Sequence, residues 1–225
     1  MNSSAVNTIT TQKKSTKEVV TSIIGYGLHE GYSIAMWRLP NQSKITLILS
    51  TQKKSVSELS IEDSNPGFVF APFDPSQSKF FLEAAHQFEV VNEEVNELTP
   101  GQIKALAAQG GHARPLRFHK GTNQNTSSPQ DFLELVKLSI NAVEAGAFEK
   151  VVPSLKRTIN VNSEFDLLNA FDELHERYPL AMVSLLSDSG IGTWLGASPE
   201  LLVSTDRNGV FKTVALAGTQ FYTGD

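Results

Sequence analysis

Ala181-Met-Val-Ser-Leu-Leu186, Ile191-Gly-Thr-Trp-Leu-Gly196, Leu201-Leu-Val-Ser204 and Val210-Phe-Lys-Thr-Val-Ala-Leu216 follow one another with only Asp188-Ser-Gly190, Ala197-Ser-Pro199 and Asp206-Arg-Asn-Gly209 between them. Short apolar runs joined by Asp/Asn-Gly turns reverse the chain within a few residues, so they predict an antiparallel sheet. Just upstream, Ser163 opens a predicted helix, with Asp166 in a capping-box-like place and Leu167, Phe171, Leu174 and Tyr178 on its inner face until Pro179 stops it.

Working outward, Ser128-Pro129 is a helix start. Phe132, Val136, Ile140 and Val143 then recur along one stripe until Gly146. Phe148-Glu-Lys150-Val-Val152 follows, short and β-branched at its end, as a buried strand would be. Thr99 as N-cap with Pro100 at the first helical position predicts a short helix closed by Gly110-Gly111. Towards the N-terminus, Val19–Ile24 suits a short helix. Tyr32–Trp37 and Lys44–Leu49 make a hairpin around Pro40–Ser43, and Gly67–Ala71 is a third strand with Phe68 and Phe70 on one face. Phe88–Leu98 mixes acids and valines without a clean period and receives no assignment, and His112–Thr126 reads as a polar loop. The class is α+β, helices against antiparallel sheet. A polar leader over 1–16 precedes a single domain over 17–225, with no repeat or dividing linker.

Composition excludes several functions. With 19 Lys+Arg against 24 Asp+Glu, the net charge of −5 gives no general basic field for nucleic acid. The chain has 0 cysteines, which rules out disulfides and thiolate chemistry and fits a reducing compartment. No run approaches the ~20 apolar residues of a membrane span, and no signal peptide is visible. A soluble, cytoplasmic protein without membrane partners is the expectation.

Two residues invite a chemical reading. Lys150 lies beside Val151 and Val152. If that strand is buried, desolvation lowers the ammonium's pKa towards that of a general base, whereas simple alternation would turn the side chain to solvent. Glu200 follows Gly196-Ala-Ser-Pro199 and precedes Leu201-Leu202. Held between apolar walls it would stay protonated and act as an acid, whereas at an edge it would be an ordinary surface glutamate. Leu216-Ala-Gly-Thr219 ends a strand in glycine and a hydroxyl, a turn able to offer N–H donors to a carboxylate. Elsewhere the signals are weaker. His175-Glu176 lacks the second histidine of a zinc-protease helix, because Pro179 stands there. Glu89, Glu93, Glu94 and Glu97 read as a solvated acidic face rather than a metal site, and the basic residues of His112–Lys120 as a solvated loop.

Phe148-Glu-Lys150-Val-Val-Pro-Ser154, Gly196-Ala-Ser-Pro-Glu200-Leu-Leu202 and Ala215-Leu-Ala-Gly-Thr219, in that order and spacing, resemble the chorismate-utilising enzymes, and among them the isochorismate synthases. The resemblance is strongest from Pro129 onward. It implies a fold of stacked antiparallel sheets wrapped by helices, like the anthranilate synthase large subunit, with the active site in a cleft. It also implies roles. Lys150 would activate a water that attacks C2 of chorismate, and Glu200 would protonate the departing C4 hydroxyl. Ala217, Gly218 and Thr219 would line the substrate site, and Mg2+ would bridge carboxylates. Ammonia-using members of the family generally carry glutamine where this chain has Lys150, and aminodeoxychorismate synthases often carry a lysine where it has Ala217.

The pattern also departs from the family. Leu155 stands where an arginine is usual, and Pro153 interrupts the lysine strand. In the family the metal-binding glutamates and the cations that hold the substrate's carboxylates lie beyond the position of Asp225. The chain is therefore expected to be an N-terminal portion with little turnover alone and with part of its core exposed. Salicylate synthase, which adds pyruvate elimination, and a noncatalytic binding module on the same scaffold are the competing expectations. Isochorismate would feed menaquinone or siderophore synthesis, between which the residues do not choose.

Overall fold

A computed structural model describes residues 14–51, 53–56, 64–109, 116–121, 127–162, 164–206 and 208–214. The chain forms two compact units, Met1–Lys120 with Asp166–Asp225, and Gly121–Phe165.

In the larger unit the central element is a six-stranded antiparallel sheet. It contains β1 (Ser33–Arg38), β2 (Ile45–Ser50), β6 (His86–Val91), β7 (Glu94–Glu97), β8 (Met182–Asp188) and β9 (Gly192–Ser198) in the order β7-β6-β2-β1-β8-β9. The expected β1–β2 hairpin is present, pairing Ser33 with Ser50 and Arg38 with Ile45. Side chains alternate between its faces. Ile34, Met36, Leu47, Leu49, Val183 and Leu185 form a core on one face. Against it lie α1 (Thr16–His29), α2 (Ile103–Gln109) and α4 (Leu167–Arg177). Gly27 lets α1 come close, since a Cβ there would stand 2.8 Å from side-chain carbons of Ile34 and Leu49. On the opposite face Ala35, Ile48 and Leu186 pack against Leu82. Leu82 belongs to a second, three-stranded antiparallel sheet with β5 (Lys79–Glu83) between β3 (Lys53–Val56) and β4 (Gly67–Phe70). Phe68 and Phe70 do share a face, directed to this second core beside Trp37 and Trp194. The unit is thus α+β, two stacked antiparallel sheets with helices on the outer side of the larger one.

Several boundaries differ from the reading of the sequence. Helix α1 extends past Val19–Ile24 at both ends: Ser15 and Glu18 form a capping box at its start, and Glu30 N–H donates to the Tyr26 carbonyl at its end. Helix α2 starts at Ile103, not Pro100. The Glu97 carboxylate accepts from the N–H groups of Ile103 and Lys104, while Thr99 Oγ1 accepts from Gln87 N–H at 3.0 Å. Likewise Asp166, not Ser163, caps α4, accepting from Leu168 and Asn169 N–H at 3.0 Å each; Ser163 lies outside the described residues. The unassigned Phe88–Leu98 is a hairpin of β6 and β7, turning on Asn92 and Glu93, both with positive φ. Of the His112–Lys120 loop, residues 116–120 are described and are not simply solvated; His112 and Arg114 lie outside the described residues. Leu116 and Phe118 pack on the helix-side core, His119 N–H donates to Ser187 Oγ, and Thr193 Oγ1 donates to the His119 carbonyl at 2.6 Å.

The smaller unit contains α3 (Pro129–Glu144), capped reciprocally by Ser128 and Asp131. It ends as its sequence implies. Gly146 has φ 73°, and Ala147 N–H donates to the Ala142 carbonyl at 2.9 Å. Its apolar stripe has no buried member. The expected strand at Phe148–Val152 does not form, and Val152 is 79% exposed. Among the described residues no ladder partner pairs with it, and Pro153 removes a donor from the segment.

Candidate active site

Strand β9 carries the chain to Glu200. Its ladder with β8 pairs Ser184 with Gly196, Val183 with Ala197 and Met182 with Ser198. The strand therefore runs through the Gly-Ala-Ser stretch where a tight turn was expected, and the chain leaves the sheet at Pro199. Glu200 is exposed at that exit and lacks the apolar walls expected of a buried acid. Beyond it, Ser204–Thr205 (β10) and Phe211–Lys212 (β11) form a short antiparallel ribbon around Gly209, whose φ is 76°. β10 meets the apolar run Leu201–Ser204 only at Ser204, and β11 takes two residues of the run that starts at Val210. The Asp206 carboxylate closes the turn by accepting from Asn208 and Val210 N–H. The returning arm brings Val214 N–H to the Leu201 carbonyl at 3.3 Å and Thr213 Oγ1 to the Leu202 carbonyl at 2.7 Å. Hence the chain re-enters the neighbourhood of Glu200 three residues before Ala217. Ala217, Gly218 and Thr219 themselves lie outside the described residues.

Beside the exit of β9 is a cleft of about 600 Å3. Arg177 and Tyr178 line it from the end of α4, Pro179 and Ala181 from the following turn, and Ala197 and Pro199 from the β9 side. Pro179 ends the helix and β8 begins at Met182, so this turn is fixed at both ends.

Arg38, the last residue of β1 and 1% exposed, holds that turn from behind. Its guanidinium donates to the carbonyls of Tyr178, Pro179 and Ala181 at 2.9 Å each, and more weakly to those of Leu39 and Gln42. No carboxylate among the described residues pairs with it, and its Nε–H is buried without a partner. Burial pulls the Arg38 pKa below its ordinary value. The half-buried His175 imidazole is likewise held low, first by burial and then by the charge of Arg38. Neither arginine was singled out from the sequence. The only available signal was an arginine directly after the apolar run Tyr32–Trp37.

Lys150 belongs to the smaller unit. There it is exposed, as are Val151 and Val152, so the desolvation expected from a buried strand is not supplied within that unit. Chain connections around it are nonetheless fixed, with Ser127 N–H donating to the Lys156 carbonyl at 2.9 Å.

Magnesium takes oxygen ligands, commonly one or two carboxylates together with waters and substrate oxygens. Among the described residues no three His, Asp or Glu side chains come together to hold an ion. Two members of the acidic run are engaged elsewhere. Glu89 pairs with Lys44 at 2.7 Å, and Glu97 caps α2. No helix among them is long and apolar enough to cross a membrane.

No curated protein matches the chain. The family model described as "Chorismate binding enzyme" matches residues 76–222. That span includes Lys150, the β8–β9 hairpin, Glu200 and the Ala217–Thr219 turn. Since it covers more than half the chain and both chemically distinctive segments, the chain belongs to the chorismate binding enzymes.

Proposed function

We propose that this member of the family carries the acid–base pair of an isochorismate synthase. Lys150 is the base that deprotonates an attacking water, and Glu200 is the acid that protonates the departing C4 hydroxyl of chorismate. Water oxygen bonds to C2, the ring double bonds shift, and the C4–O bond breaks with release of water. Substrate and product are therefore isomers. One proton is lost to Lys150 and one gained from Glu200, and exchange with solvent resets both.

The observation that carries the reading is the course of the chain around Glu200. It leaves β9 at Pro199, and the returning arm is hydrogen-bonded to Leu201 just before Ala217-Gly218-Thr219, the residues proposed to line the substrate site. The stacked antiparallel sheets with outer helices agree with an anthranilate synthase large-subunit-like fold. A lysine rather than glutamine at position 150 favours water over ammonia as nucleophile.

Both side chains are solvent-exposed in their own units. Each role needs the uncharged form, which an enclosed, desolvated site favours. Activity should therefore depend on a more enclosed site than these exposed positions provide. The test is product analysis on the native gene product given chorismate. Isochorismate should form, and Lys150→Gln or Glu200→Gln should lower its rate by about 100-fold or more. Unchanged turnover in either variant removes that residue from the chemistry. A salicylate product would move the assignment to a salicylate synthase, and binding without turnover to a noncatalytic module.

A further inference from the structure

A second cleft, of about 450 Å3, opens where the start of α1, the β6–β7 turn and α2 meet. It shares no lining residue with the cleft beside β9. Two cations, Lys14 and Lys104, and two anions, Glu93 and Glu94, line it. All four are exposed, yet among the described residues none of them forms an ion pair. The ammonium groups rest on backbone oxygens instead. Lys14 donates to the Ala108 carbonyl in the last turn of α2 at 3.3 Å, and Lys104 donates to the Val95 carbonyl. An ammonium has three donors, so two are left over on each lysine, and both carboxylates keep their lone pairs. The turn that presents the glutamates is fixed from α1, because Thr16 Oγ1 donates to the Glu93 carbonyl. Buried Val95 and half-buried Val19 give the cleft an apolar wall.

Charge decides what such a cleft accepts. Its four charged groups sum to zero, so a simple anion loses to the glutamates what it gains from the lysines, and a simple cation the reverse. A molecule that carries both charges gains at both ends, through charge-assisted hydrogen bonds. We propose that this cleft binds a free aliphatic amino acid. Its carboxylate lies on Lys14 and Lys104, its ammonium on Glu93 and Glu94, and its side chain against Val19 and Val95. Bound there, the ligand ties α1, the β6–β7 turn and α2 together and stabilises the larger unit by mass action. The site is separate from the acid–base pair proposed above and does not depend on it.

Titration of the full chain with L-leucine, L-leucinamide and N-acetyl-L-leucine, followed by amide chemical shifts, tests the proposal. The amide lacks the carboxylate, and the acetyl derivative lacks the ammonium. Leucine should bind with a Kd of about 1 mM or tighter, and each analogue at least about tenfold more weakly. Glu93→Gln with Glu94→Gln should erase the preference over N-acetyl-leucine and keep that over leucinamide, and Lys14→Gln with Lys104→Gln should do the converse. Leucine should also raise the thermal midpoint of the wild type and of neither double variant. No leucine binding at about 10 mM, analogues bound as tightly as leucine, or preferences unchanged in either double variant would overturn the proposal. The three ligands compared on the wild type decide the matter even where a variant fails to fold.

Discussion

At the scale of single residues, Arg38 shows how a charge can be buried without a counter-ion. A guanidinium has five donors in a planar fork, and the Tyr178–Ala181 turn supplies three carbonyl acceptors at 2.9 Å. Charge-assisted bonds of this kind are individually strong, and removing the donor strands buried acceptors. Arg38→Met should therefore destabilise the larger unit by about 3 kcal/mol, read from the midpoint of urea unfolding. A change below about 1 kcal/mol would show that water replaces the guanidinium at little cost. The order and spacing of Lys150, Glu200 and Ala217–Thr219 were legible in the sequence because they are fixed by covalent continuity. The exposure of Lys150 and Glu200 was not. Apolar neighbours such as Val151 and Leu202 announce a preference for a covering layer, but they do not say which element provides it. Arg38 was illegible for the complementary reason, since its partners are backbone carbonyls far along the chain, and backbone leaves no mark on composition.

At the scale of elements, start and stop chemistry was read most reliably where one local motif satisfied the end of the element. Ser128-Pro129 begins α3 and Gly146 ends it as expected, and the Asp206–Gly209 turn closes its hairpin. Elements capped from a distance were misplaced, as with α2, whose first N–H groups are taken by Glu97 from the preceding strand. The β6–β7 hairpin escaped because its two-residue turn is Asn92-Glu93, with φ of 49° and 62°, where the usual signal would be Asn-Gly. A non-glycine residue in that region costs about 1–2 kcal/mol, partly offset by the lower chain entropy of glutamate when unfolded. Glu93→Gly should accordingly stabilise the protein by about 0.5–1 kcal/mol, measured as a rise in thermal midpoint; a fall would mean that the Glu93 side chain contributes more than its strain costs.

Helix α3 makes the opposite kind of prediction. Since its stripe has no buried member, the capping box carries an unusual share of its stability, and Ser128→Ala should lower helicity, with a cost of about 1 kcal/mol. The Asp131 carboxyl is held below its ordinary range, chiefly by the Ser128 backbone N–H and then by the Ser128 hydroxyl. A depressed folded-state pKa contributes stability above the ordinary carboxylate range and loses it as the pH falls through the lowered value. Far-ultraviolet circular dichroism should show α3 fraying on acidification, and Asp131→Asn should flatten that dependence. An acid response identical in the two proteins would assign the effect elsewhere.

At the scale of the whole molecule, the α+β class followed from the Asp/Asn-Gly turns between short apolar runs, and the β8–β9 hairpin bears it out. The second sheet was only partly visible. Its β4 was found from Gly67–Ala71, but Lys53–Val56 and Lys79–Glu83 are four and five residues long, open on lysine, and have no flanking hairpin signal. What joins these elements to the family is the pair of chemically distinctive segments inside the chorismate binding match, one carrying Lys150 and the other carrying Glu200 with its returning arm. The most direct test is mass-resolved product analysis of the native gene product with chorismate, in the presence and absence of ammonium, for wild type and Lys150→Gln. The account expects a product isomeric with chorismate, formed equally with or without ammonium and lost in the variant. An ammonium-dependent amino product, or isochorismate formation unaffected by Lys150→Gln, would contradict it.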